Sequence, residues 1–227
     1  MWTMKVSNER NSKMISNKNK YDNHSGKKCP LLKVVLLGDS NVGKTCLMSR
    51  FVKDQFNFDT YCTIGVEFLE KDVYIKDNVY KLQIWDTAGN ERFHSLRIPF
   101  YRGTDICILT YSVDNMQSFE NLSVWKKEFL YYADIRNPGN FPFMVIGNKI
   151  DLDSEKKVVT TELLTSWITN NGCPPFVETS AKDATNVPLA FRLAVENWLK
   201  MENKNEKQFE GETVILTDHS QNSNCCN

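Results

Sequence analysis

Apolar residues fall into short blocks separated by polar stretches, and the blocks alternate between two patterns. Leu31 to Leu37 is a continuous apolar run ending at Gly38, the signature of a strand buried on both faces. Val66 to Ile75 and Val79 to Trp85 are strand-like and joined by the turn residues Lys76, Asp77 and Asn78. Ile106 to Tyr111, Phe143 to Ile146 and the short Phe176 to Glu178 are further apolar strands. Between them, Lys44 to Asp54, Met116 to Ala133, Thr161 to Asn170 and Val187 to Met201 are helix-like. In the last of these, Phe191, Val195, Trp198 and Leu199 recur at helical spacing, with Arg192, Glu196 and Lys200 on the other side. Strands alternating with helices predict an α/β domain with a mostly parallel sheet, and the hairpin implies one antiparallel edge strand.

Composition sets the limits of that domain. Hydrophobic residues are 41% and charged residues 25% of 227, which is ordinary for a globular chain. Formal net charge is zero, so no global basic field points to nucleic acid. No apolar run approaches the roughly 20 residues that span a bilayer, and the polar start lacks the apolar core of a secretory signal. Seven cysteines, none in a CxxC pair, favour a reducing cytosolic compartment. Residues 1–29 are polar, with seven Lys/Arg against Glu9 and Asp22, and are expected to form a disordered basic arm. That arm either has no function or is weakly attracted to anionic lipid. The folded domain is expected over residues 30–201, followed by a flexible tail over 202–227.

Gly38-Asp39-Ser40-Asn41-Val42-Gly43-Lys44-Thr45 satisfies G-x-x-x-x-G-K-[ST] between a predicted strand and a predicted helix. Such a loop turns successive backbone N–H groups inward as an anion nest, and the helix behind it adds the positive end of its dipole. Lys44 supplies a point charge to the β- and γ-phosphates, and the Thr45 hydroxyl is placed to ligate Mg²⁺. Asp86, closing a core strand, is a candidate metal-site carboxylate, although a lone aspartate there could equally cap the next turn. Gly89 of Asp86-Thr87-Ala88-Gly89 allows the backbone to approach the γ-phosphate.

A phosphate loop does not choose a base. Asn148-Lys149-Ile150-Asp151 follows the strand Phe143–Ile146 at its carboxyl end. The Asp151 carboxylate can accept from both N1–H and the 2-amino group of guanine, whereas adenine would leave it unpaired. The Lys149 stem can cover the base face. Ser180-Ala181-Lys182 can present a backbone N–H to guanine O6.

GDSNVGKT, TIGVEF, WDTAG, GNKID and ETSAK, in this order, resemble the Ras superfamily. TIGVEF and SLRIPFYRGTD resemble the Rab family. WKKEFLYYADI, FPFMVIGNKID and ETSAKDATNV are similar to its Rab nine branch, associated with late-endosome-to-Golgi traffic. The resemblance covers about residues 31–201. It implies a P-loop G domain, with a six-stranded sheet and five flanking helices, that binds GTP or GDP with Mg²⁺, hydrolyses GTP and recruits effectors in the GTP state. It implies nucleotide contacts from Ser40, Asn41, Val42, Gly43, Lys44, Thr45, Cys46, Gly89, Asn148, Lys149, Asp151, Ser180, Ala181 and Lys182. Phe56 matches the aromatic at the guanine edge, and Thr63 the switch threonine that reaches Mg²⁺ alongside Thr45 and Asp86. Ile64, Gly65, Phe68, Trp85 and Phe100 match the effector-reading surface.

The implied partners are effectors, exchange factors, GTPase-activating proteins, a GDP-dissociation inhibitor and a prenylation escort, for a monomeric switch without nucleic-acid binding. Cys225-Cys226-Asn227 resembles the Rab ending that takes two geranylgeranyl groups. Two lipids are what stable anchoring to the cytosolic face of endosomal or Golgi membranes requires when no polybasic tail is present. One position departs from the family: the catalytic glutamine is replaced by Asn90, shorter by roughly 1.5 Å. This predicts slow intrinsic hydrolysis, and leaves open a GTP-bound binding module with little turnover beside a cycling enzyme.

Overall fold

The computed structural model describes residues 29–58, 63–135 and 137–211. The basic arm expected over 1–29, apart from Cys29, and the cysteines Cys225 and Cys226 lie outside the described residues.

Six strands form one sheet in the order β2-β3-β1-β4-β5-β6. They are β1 (Leu31–Leu37), β2 (Val66–Ile75), β3 (Asn78–Thr87), β4 (Ile106–Ser112), β5 (Phe143–Asn148) and β6 (Phe176–Thr179). β2 pairs antiparallel with β3, with Phe68 opposite Trp85, and every other neighbouring pair is parallel. The hairpin closes over two residues, Lys76 and Asp77, so Asn78 belongs to β3 instead of the turn.

Every residue of β4 and β5 is buried, as their unbroken apolar runs require when helices cover both faces. Alternate side chains divide between two cores. Leu32, Val34 and Leu36 pack with Leu47, Met48 and Phe51 of α1 (Lys44–Lys53) and with Phe191 and Val195 of α6 (Val187–Gly211). Val35 and Leu37 pack with α4 (Leu122–Tyr132) through Trp125 and Phe129, and with α5 (Thr161–Asn170) through Leu164 and Ile168. A short α2 (His94–Arg97) lies between β3 and β4.

The helical stretch expected over Met116 to Ala133 is notched. α3 (Met116–Glu120) hands over to α4 at Asn121, whose side chain donates to Asp39 Oδ2 at 2.8 Å. The i→i+4 bonds run on across the notch, so α3 and α4 count as one of five helical segments flanking the sheet. The last helix also runs beyond the expected stop at Met201, to Gly211. Its later turns carry Glu, Lys and Gln, which favour helix without an apolar stripe. Strand order reverses at β1, and the loops after β1, β3, β5 and β6 emerge at one edge, where doubly wound sheets bind ligands.

Candidate functional site

These loops enclose a cavity of about 350 Å³. Ser40, Asn41, Gly43, Lys44, Thr45 and Cys46 line its phosphate-loop side, Phe56, Thr63 and Gly89 its middle, and Asn148, Lys149, Asp151, Ala181 and Lys182 the opposite side. Two residues expected at the nucleotide, Val42 and Ser180, are buried behind the wall and act through others. The Val42 carbonyl accepts from Asn148 Nδ2 at 2.9 Å, and the Ser180 hydroxyl donates to Asp151 Oδ1 at 2.7 Å.

The phosphate loop takes its shape from its backbone. Asn41 has φ 64 and Gly43 φ 95, successive turns that side chains other than Asn and Gly resist. A Cβ on Gly43 would sit 2.3 Å from Asn148 Nδ2. No side chain caps α1 at Gly43, leaving the site open to an anion for the first-turn amides, which no helix carbonyl partners. A Cβ on Gly89 would lie 2.5 Å from Ser40 N, so the loop after β3 can close on the phosphate loop only through glycine. Lys44 is buried, and its ammonium donates to Gly38 O at 2.7 Å and Asp39 O at 2.8 Å. Burial lowers its pKa to about 8, against the opposing pull of the Asp86 and Asp39 charges.

Beside Lys44, three oxygens converge. Thr45 Oγ1 donates to Asp86 Oδ2 at 2.6 Å, and Thr63 Oγ1 lies 2.9 Å from Thr45 Oγ1 and 3.3 Å from Asp86 Oδ2. Asp86 Oδ1 is buried with no hydrogen-bond partner, and burial raises the carboxyl's pKa despite the Thr45 bond. An orphaned buried carboxylate oxygen beside two hydroxyls suits a hard cation that completes its shell from phosphate and water, which is how Mg²⁺ binds. Among the described residues there is no cluster of three His, Cys, Asp or Glu that would hold a metal by itself.

The base side is tied together by Asn148, which is buried. Its Oδ1 accepts from the Thr179 hydroxyl and from the Ala181 N–H, both at 3.2 Å, so of the Ser180-Ala181-Lys182 backbone the Ala181 amide is engaged by Asn148. Lys182 Nζ lies 3.7 Å from Asp151 Oδ2. Lys149, at φ 73, leans toward Asp114 at 3.8 Å.

Asn90 does not reach this cavity. It lines a neighbouring one of about 570 Å³ that shares Ser40 and Gly89 with the first. Its Oδ1 accepts from the Arg92 N–H at 2.9 Å, an Asx turn that occupies the side chain. Phe68, Trp85 and Phe100 form a continuous stack, with centroids 4.8 and 5.2 Å apart. Ile64 is exposed, and the Gly65 carbonyl accepts from the Ala88 N–H at 3.1 Å.

Sequence reasoning missed several residues. Asn57, Phe58 and Leu152 also line the first cavity. Arg50 of α1 donates from Nε to Ala181 O and from Nη2 to Lys182 O, both at 2.9 Å, clamping the base-side loop. Asp39 Oδ1 accepts from Trp125 Nε1 at 2.7 Å, and the Arg97 guanidinium lies 4.4 Å from the Trp125 ring centroid. Arg97 also donates to Asn90 O at 3.1 Å and, through two nitrogens, to Glu128. Of these, only Phe58, two residues after Phe56, carried a signal in local sequence.

A profile described as the Ras family matches residues 33–200. The chain is similar to "Ras-related protein Rab-9B" of Mus musculus, 53% identical over 197 residues, covering 86% of this chain and 97% of the relative. It is 52% identical over 200 residues to "Ras-related protein Rab-9A" of Homo sapiens, covering 88% and 98%. It is 46% identical over 200 residues to "Ras-related protein Rab7" of Cenchrus ciliaris, covering 86% and 97%.

Proposed function

The chain belongs to the Ras family, close to its Rab-9A and Rab-9B members, and on that premise we propose that it is a GTP/GDP switch of vesicle traffic, acting between late endosome and Golgi. One observation carries the nucleotide assignment. The cavity that holds Lys44 and the phosphate loop also holds, on its far side, a carboxylate fixed by Ser180. Lys44 and the loop amides receive the β- and γ-phosphates, Asp151 accepts from guanine N1–H and the 2-amino group, and Phe56 and the Lys149 stem flank the base. Thr45, Thr63 and Asp86 would hold Mg²⁺, which supplies neutralisation of phosphate charge when bound. Thr63 and Gly89 report the γ-phosphate. Their release after hydrolysis relaxes the surface of Ile64, Gly65, Phe68, Trp85 and Phe100 that effectors read.

Exchange factors, GTPase-activating proteins, a GDP-dissociation inhibitor and a prenylation escort follow from the family, with geranylgeranyl groups on Cys225 and Cys226 holding the protein to membrane. Among the described residues no helix is long and apolar enough to cross one. The test of the nucleotide site is competition against fluorescent GDP with Mg²⁺: GTP and GDP displace it, and ATP and ADP do not. Equal displacement by adenine and guanine nucleotides overturns the reading.

A specific observation favours a second reading, a GTP-loaded recruiting module with little turnover. Asn90 is the expected water-orienting residue, and its amide oxygen is engaged by the Arg92 N–H. A group displaced by about 1 Å loses on the order of 100-fold in rate. Single-turnover hydrolysis is expected to be slow and to rise at least tenfold in Asn90→Gln. Equal rates reject the role given to Asn90.

A further inference from the structure

One aromatic at the nucleotide cavity is explained neither by the phosphate machinery nor by the base-reading loop. Phe58 lines the cavity and is 77% exposed. Its ring meets Phe56 edge-on, with centroids 4.8 Å apart and planes at 82°. The Lys182 ammonium lies 5.7 Å from the Phe58 centroid, and the same ammonium is 3.7 Å from Asp151. A single exposed aromatic is ordinary on a protein surface. This one joins two segments more than a hundred residues apart in sequence, the stem leading to Thr63 and the loop after β6.

We propose that Phe58 is a second aromatic wall of the nucleotide site, a latch across its mouth that sets how long a purine nucleoside diphosphate stays bound. The proposal rests on the guanine-nucleotide reading above and adds to it a residue and a role. Edge-to-face aromatic pairs and a cation over a ring face are attractive beyond the area they bury. The Phe56 contact fixes the ring on its own segment and the Lys182 contact joins it to the loop after β6, so ligand escape on that side requires the Lys182 contact to part. The ring's exposed area is apolar surface that a bound nucleoside can cover, which strengthens the latch only when the site is filled.

The experiment uses the full chain loaded with fluorescent GDP and chased with excess unlabelled GDP. Release from Phe58→Ala is expected to be roughly 3- to 10-fold faster than from the wild type, the range one aromatic pair supplies. Phe58→Leu, which keeps apolar volume without a ring, stays fast, and Phe58→Tyr returns to the wild-type rate. Release from Phe58→Ala within twofold of wild type overturns the proposal, as does full restoration by leucine or failure of tyrosine to restore. A wild-type chain that holds no guanine nucleotide overturns the guanine reading and the latch together. A wild-type chain that holds GDP normally, with an unaffected alanine variant, overturns the latch alone.

Discussion

Truncating Glu128 is expected to destabilise the protein far more than loss of a surface ion pair. Arg97 is 3% exposed and Glu128 14%, and the pair is bidentate, Nε to Oε1 at 2.9 Å and Nη2 to Oε2 at 3.0 Å. The Tyr101 hydroxyl adds a 2.7 Å bond to Oε1. Glu128→Ala leaves a guanidinium buried without its counter-charge, which costs about 3–5 kcal/mol, out of a total stability of about 5–15 kcal/mol. With a urea slope of roughly 2 kcal/mol per M, the midpoint falls by about 1.5–2.5 M. Urea unfolding of wild type, Glu128→Ala and Glu128→Gln, all loaded with GDP, measures it. A midpoint shift under about 0.5 M, close to 1 kcal/mol and typical of exposed pairs, refutes the argument.

The same carboxyl sets a pH dependence. Burial pushes the Glu128 pKa up, but the Arg97 and Tyr101 hydrogen bonds and the Arg97 charge outweigh it and hold the pKa below its usual value. Its stabilisation is therefore complete above the unfolded value, about pH 4.3, and is lost as pH falls through the lower folded value. The gap between wild type and Glu128→Gln should narrow on acidification through that window. The consequences reach the switch, because Arg97 also holds Asn90 O and Trp125 holds Asp39.

Two further outcomes follow from the nucleotide cavity. The Lys44 pKa is lowered to about 8 by burial. Between that value and the ordinary lysine pKa the folded chain therefore binds fewer protons than the unfolded one, and its stability rises with pH. A bound polyphosphate recharges Lys44, so calorimetry of GDP binding in buffers of different ionisation heat should show uptake close to one proton at about pH 9 and little at about pH 7. No difference between the two excludes a depressed lysine. Arg50→Ala removes two charge-assisted bonds to the Ala181 and Lys182 carbonyls, worth about 1.5–3 kcal/mol each. GDP release should quicken by at least about tenfold, with only partial recovery in Arg50→Lys because one ammonium cannot match the fork; an unchanged release rate removes Arg50 from the base site.

Most of the architecture was legible because it rests on local pattern. The runs at Leu31–Leu37, Ile106–Tyr111 and Phe143–Ile146 read as strands buried on both faces, and the turn residues after Ile75 implied the antiparallel pairing of β2 with β3. The loop from Gly38 to Thr45 announced a phosphate cradle because glycine spacing and Lys-Thr chemistry are read over eight neighbouring positions. The stop at Met201 was misplaced because an apolar stripe marks where a helix packs, not where its backbone ends.

What the tertiary structure alone decided are contacts between residues far apart in the chain. Arg50 grips a carbonyl 131 residues away, and Trp125 and Asn121 reach Asp39 across 86 and 82 residues. Nothing in the sequence near Asn90 announced that Arg97 would take its carbonyl. Residue types and short spacings determine which chemistry a segment can perform, since they act through bonds and turns a few residues long. Which oxygen finally meets which nitrogen depends on how the sheet and helices pack, and that packing is a property of the whole chain.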